Sequence, residues 1–256
     1  MLSIVTHLAI GLVPCTALLV LAGLWRGWNP PGDCELSLPV ILLAGLFIAH
    51  IRSHLPAARR RAQVVALPGS LLGSVLTGRT RVVLCAGTYA VGATVTLALW
   101  SLTAPPRALV LAPSAAAVAA ALHHPLADWF GSRHLQAPFN GLWAVGMLSW
   151  TCGLAASVLI LWLIVPDIVV TIPPTFTAAL ALGQETAAAR GNDLTGTALG
   201  WLAVLDGLRA MALDSLRSVV RVGWLYHLED ILMAVVAVRA ILTVVHAFTI
   251  SIARPR

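Results

Sequence analysis

The sequence predicts an all-α, polytopic helical membrane protein with about six transmembrane helices and one amphipathic surface helix, on three observations. Of 256 residues, 59% are hydrophobic and only 10% are charged, against about a quarter charged in a soluble domain. Apolar runs of about 20 residues, the length that crosses the hydrocarbon core of a bilayer, recur along the chain, and the mean hydropathy is +0.90. The 16 basic residues, all arginine, lie mostly between those runs. A net charge of +6 would suggest nucleic acid only on a polar body with a basic face, and this chain has no such body; nucleic acid is excluded as a partner.

In chain order, residues 4–25 form the first run. The start, Met1-Leu2-Ser3-Ile4-Val5-Thr6-His7, lacks a basic region and a small-residue cleavage site, so the run reads as a retained span beginning a mature chain at residue 1. Residues 82–102, 142–165 and 231–252 are equally clear. Residues 36–51 and 108–122 are shorter, and Pro113 interrupts the second, yet each is needed to bring the chain back across. Cys15, Cys34, Cys85 and Cys152 have no C-x-x-C spacing and imply neither a disulfide framework nor a zinc ribbon.

Arginine is retained on the cytoplasmic side of a membrane, and the arginines here are unevenly placed. With the N-terminus inside, residues 51–81 form a cytoplasmic loop carrying Arg52, Arg59, Arg60, Arg61, Arg79 and Arg81 without one acid, and Arg133, Arg254 and Arg256 join them. Every acid but Asp128 falls on the other face. The expected organisation is a five-span domain over 1–165, an extracytoplasmic segment over 166–229, and a last span and tail over 230–256. Both termini are cytoplasmic in a bacterial-type inner membrane.

Within 166–229, the step Ile172-Pro173-Pro174 stops any helix entering it. From about 194 to 225, Leu202, Leu205, Leu208 and Ala212 recur at helical spacing while Asp206, Arg209, Asp214, Arg217 and Arg221 share one arc, an amphipathic pattern. Asp206 with Arg209, and Asp214 with Arg217, are i,i+3 pairs. Trp201 and Trp224 suit a membrane interface. The helix either lies on the outer leaflet or packs on a partner, with Arg209 and Arg217 as contacts.

Seven of the eight histidines gather toward the cytoplasmic face in this topology: His50, His54, His123, His124 and His134 at span ends, His7 and His246 a turn or two deeper. Asp128 stands among them, and His124 and Asp128, at i and i+4, share a face if the helix runs past Pro125. Histidine with carboxylate is a ligand set for a divalent metal; equally, histidines at headgroup depth simply end membrane helices. Haem ligation needs paired histidines at one depth, for which only His7 and His246 lie deep enough. Arg239 falls near the middle of the last span, where a charge costs a few kcal/mol. It marks a substrate or ion pathway, or clamps a neighbouring helix or subunit through backbone carbonyls or a polar side chain such as Thr94.

The segments Thr6-His7-Leu8-Ala9, His124-Pro125-Leu126-Ala127-Asp128 and Leu135-Gln136-Ala137-Pro138-Phe139, over residues 1–140, resemble the LexA-regulated, membrane-bound metal-dependent hydrolases. That family's Pro-Asp-Ile-Asp-His segment is here Ala49-His50-Ile51-Arg52-Ser53-His54, and its His-Arg-Gly-x-Thr-His-Ser is Thr77-Gly78-Arg79-Thr80-Arg81-Val82. The resemblance implies a metal site of His7, His124 and Asp128, completed by His50, where bound metal would activate a water. The expected function is a structural or assembly subunit of a larger membrane complex, in contact with the bilayer and with other subunits or a second copy. A variant metal-dependent hydrolase is the alternative, and a transporter the third reading.

Overall fold

The computed structural model describes residues 12–17, 20, 23–24, 37–65, 79–164, 172–189, 194–216 and 228–252. His7, most of the first run, residues 66–78 and Arg217 lie outside the described residues. Residues 12–17 are helical, and seven longer helices follow: α1 (Ser37–Val65), α2 (Arg79–Thr103), α3 (Pro106–Arg133), α4 (Phe139–Ile164), α5 (Phe176–Ala189), α6 (Leu194–Leu216) and α7 (Leu228–Ile252). The described fold is all-α and polytopic. Five of these helices, α1 to α4 and α7, are long and apolar enough to cross a membrane. Helix is the economical answer for such a sequence, since it satisfies every backbone group within its own segment where no water is available.

Three elements extend beyond their expected limits. The second span is not a short helix ending at residue 51: α1 continues to Val65, so that 51–65, expected as loop, is helical, as are residues 79–81 at the start of α2. Pro113 does not interrupt the fourth span, and Pro125 does not end it, because α3 runs through both to Arg133. Proline removes one backbone donor and crowds the preceding turn, but in a helix embedded among others the neighbours hold the shape. Pro113 is itself buried. Pro105 and Pro106 make the corner into α3, with Pro106 in the first turn, where its missing N–H is not needed.

The last helix is the centre of the bundle. α7 packs on α4, α1, α3 and α2, and Ala234, Ala237, Val238 and Leu242 lose all exposure. Small side chains let the backbones approach, the usual device of membrane helices, which gain little from burying apolar surface away from lipid. Ala108, Ala112, Ala116 and Ala119 line the inner face of α3, and Ala86 and Ala90 that of α2, all fully buried. Buried Cys15 joins the helical residues 12–17 to the cluster formed by α3, α4 and α7. The outer surfaces carry Leu84, Val110, Val118, Val158 and Trp162, all exposed, as expected of faces turned to lipid.

The expected surface helix is one arm of a hairpin. α6 ends at Leu216 in the described residues and packs along α5. The two cross where Gly183 and Gly200 meet: a Cβ on Gly200 would come within 2.6 Å of the Gly183 carbonyl oxygen. Leu199 packs on Leu102 at the end of α2. At the other end of the bundle Arg60 donates to the Ala137 carbonyl and the Arg61 guanidinium lies 5.3 Å from the Phe139 ring centroid. The arginine-rich end and the hairpin are therefore at opposite ends of the bundle. The expected i,i+3 pair forms between Arg209 and Asp206 at 3.1 Å.

Candidate functional site

The arginine-rich end holds a pocket of about 610 Å³, bounded by α1, α3, α4 and α7 and by the turn between α3 and α4. Its polar walls are Arg60, His123, His124, Asp128, Asn140, His246 and Thr249. Because α3 continues past Pro125, His124 and Asp128 come one turn apart, and His124 Nδ1 lies 2.8 Å from Asp128 Oδ2. Consecutive positions on a helix are about 100° apart, so His123 turns inward to 3% exposure while the His124 and Asp128 side chains stay at the rim at 38% and 67%. Asn140, in the first turn of α4, donates to the Ala127 carbonyl at 3.1 Å and ties that turn to α3.

His246 closes the pocket from α7. It is 5% exposed, its ring meets that of His123 edge-on with centroids 5.1 Å apart, and it lies against Gly141 of α4, where any Cβ would collide with it. Neither ring nitrogen has a hydrogen-bond partner among the described residues. A buried polar group in that condition costs about 1–3 kcal/mol.

The His124–Asp128 contact assigns chemistry as well as position. With Asp128 beside Nδ1, the carboxylate holds the imidazole in place, the arrangement by which an acid orients a histidine for proton transfer or ligation. Of the expected metal set, the structure brings together His124 and Asp128. His50 does not join them at the pocket wall: it lies inside the membrane-length part of α1, 8% exposed, stacked on His54 with centroids 4.1 Å apart and 4.8 Å from the Tyr89 ring. The reason is the length of α1, which sets residue 50 near the middle of the span rather than at its end. Among the described residues no three His, Cys, Asp or Glu side chains gather to hold a metal ion.

His50 belongs instead to a polar seam between α1 and α7. Arg239, Thr243 and His246, at i, i+4 and i+7, form one stripe of α7, and His50, Ser53 and His54 form one of α1. Ser53 Oγ donates to the Thr243 carbonyl at 3.2 Å, Thr243 Oγ1 donates to the Arg239 carbonyl at 2.8 Å, and Tyr89 Oη lies 3.4 Å from Thr243 Oγ1. Arg239 itself is exposed. Thr94, the side chain expected near it, is buried with no hydrogen-bond partner for its hydroxyl among the described residues.

Sequence reasoning did not pair His246 with His123, and it passed over Arg60 and Asn140 as pocket walls. The stripes were there to be read as helical spacing around Arg239 and His50; the convergence of α3 and α7 was not. Compared with known protein families, curated proteins and solved structures, the chain matches none.

Proposed function

We propose that the protein is a multi-pass membrane enzyme of hydrolytic type, its arginine-rich end cytoplasmic in a bacterial-type inner membrane, acting on a small anionic ester or an anionic lipid headgroup. One observation carries this reading: four helices deliver Arg60, His123, His124 with Asp128, Asn140 and His246 to a single pocket. In it, His124 Nε2 takes a proton from water as that water attacks the phosphorus or carbonyl carbon. Asp128 holds the imidazole in the required tautomer and stabilises the imidazolium that forms, which then returns the proton to the leaving oxygen. Arg60 and the arginines around the rim attract the anion. The resemblance to metal-dependent hydrolases supports the same pocket, with His124 and Asp128 as two ligands. No step here runs through a metal, because the described residues do not complete its coordination.

The test uses purified protein in nanodiscs, a panel of phosphate and carboxylate esters, and total bacterial lipid as substrates, with metal analysis alongside. His124→Ala and Asp128→Asn are expected to lower turnover by about 10²–10⁴-fold without changing the unfolding temperature. Absence of turnover with every substrate, or variants as active as the parent, refutes the reading.

The second reading is an assembly subunit of a membrane complex or a homo-oligomer, and the hairpin favours it. Trp201 and Leu205 on α6 are 63% and 59% exposed, away from the five membrane-length helices. Co-purification with other subunits, lost on Trp201→Ser, supports it; a stable lone monomer in mild detergent overturns it.

A further inference from the structure

The hairpin α5–α6 carries an uncovered apolar stripe. Leu194, Trp201, Leu205 and Ala212 of α6 are all exposed. Counted from Leu194, the other three fall within about 20° of its direction at 100° per residue, so the four form one line along the helix. The opposite face is apolar as well, and it is occupied: Gly200, Val204 and Gly207 are buried, and each lies against α5 or the proline step that leads into it. The charges between the two faces neutralise each other, Arg209 pairing with Asp206 at 3.1 Å. A helix that is apolar on two sides needs a second apolar neighbour besides the one it already has.

Three observations favour lipid as that neighbour. The hairpin is itself assembled as membrane helices are. Ala179, Gly183 and Ala187 recur at every fourth position of α5; a Cβ on Gly183 would lie 2.7 Å from the Gly200 carbonyl oxygen, and one on Gly207 would lie 3.3 Å from Ala179 Cβ. Such close approach of small residues is how helices associate where burying apolar surface gains little. The same rule argues against a second helix on the outer stripe, because the glycines are spent on α5 and the stripe presents Leu194, Trp201 and Leu205. Next, the hairpin is continuous with the membrane-length bundle: Leu199 packs on Leu102 at the end of α2, with Leu99 and Leu202 beside them. Last, Trp201 stands in the stripe, and an indole, apolar in body with one N–H, is a side chain that collects at membrane–water interfaces. We propose that α6 lies in the membrane–water interface opposite the arginine-rich end, its stripe on the acyl chains of that leaflet, so that α5–α6 is a lipid anchor. This takes the face that the assembly reading gives to a partner, and its failure would leave the hydrolytic reading untouched.

The test uses the full chain in nanodiscs of phosphatidylethanolamine and phosphatidylglycerol, in a cysteine-free background, with a nitroxide on one of Leu194→Cys, Leu205→Cys, Asp214→Cys or Val158→Cys. Relaxation of each label by oxygen, which dissolves among acyl chains, is compared with relaxation by a water-soluble nickel chelate. Val158, exposed on α4, is the lipid reference; Asp214, exposed on α6 outside the stripe, is the aqueous one. The oxygen-to-nickel ratio at 194 and 205 is expected to exceed that at 214 several-fold and to approach that at 158. A ratio at 205 equal to that at 214 overturns the proposal, since the stripe would then face water. Exclusion of both reagents at 194 and 205 also overturns it, and reports protein on the stripe, as the assembly reading requires. If the Leu205→Cys chain does not fold, Ala212→Cys takes its place and decides on the same terms.

Discussion

Gly141→Ala separates the site from the scaffold. A Cβ at residue 141 would lie 2.9 Å from His246 Nδ1 and 3.2 Å from Nε2, with Cε1 closer still. These are tighter than real contacts, so the imidazole has to move. It cannot retreat directly, because His123 stands across it at 5.1 Å; it has to rotate toward the pocket. An off-rotamer ring costs about 0.5–1.5 kcal/mol, and losing the edge-on contact with His123 costs about 0.5–1.5 kcal/mol. Alanine in place of glycine within a helix returns about 1 kcal/mol. The expected net loss is therefore about 0–2 kcal/mol, small beside the change in the pocket. The assay is the rate of diethyl pyrocarbonate modification of His246, mapped by mass spectrometry, with thermal unfolding of the same samples. Modification is expected to accelerate several-fold while the unfolding temperature moves little. An unchanged rate at His246, or unfolding of Gly141→Ala under conditions where the parent is stable, would falsify the packing described around this residue.

Gly153→Ala is the complementary case: its Cβ would come within 2.8 Å of Val235 Cα, and a backbone atom cannot rotate away, so a loss of about 1–3 kcal/mol is expected with no change at His246. Unfolding temperature and His246 reactivity together check it. Asp128→Asn should alter stability by less than about 1 kcal/mol, since its partner is at the rim and exposed pairs contribute little, yet it should lower pocket chemistry by orders of magnitude; equal losses of both would mean that the pair is only structural. Ser53→Ala removes the buried bond to the Thr243 carbonyl and should cost about 0.6 kcal/mol, the average for interhelical bonds in membranes, as measured by denaturant unfolding. Single cysteines at Arg59 and at Leu194, in a cysteine-free background, should label from opposite sides of the membrane with an impermeant maleimide. Labelling from the same side refutes the orientation.

The sequence by itself determined the class of fold. Apolar runs of bilayer length leave the backbone no alternative to helix, so the strong spans at 82–102, 142–165 and 231–252 correspond to α2, α4 and α7 within a few residues. The i,i+4 pairing of His124 with Asp128 was also legible, because it depends only on helical periodicity continuing through Pro125. Tertiary structure decided the rest. Whether a proline interrupts a helix depends on neighbours that hold the turn, which is why α3 is continuous. How deep His50 lies depends on where α1 ends, and the arginines at 59–61 are carried on the helix instead of stopping it. His246 meets His123 across 123 positions of chain only because alanines on α3 and α7 allow those helices to close together, a distance in space that no local pattern encodes.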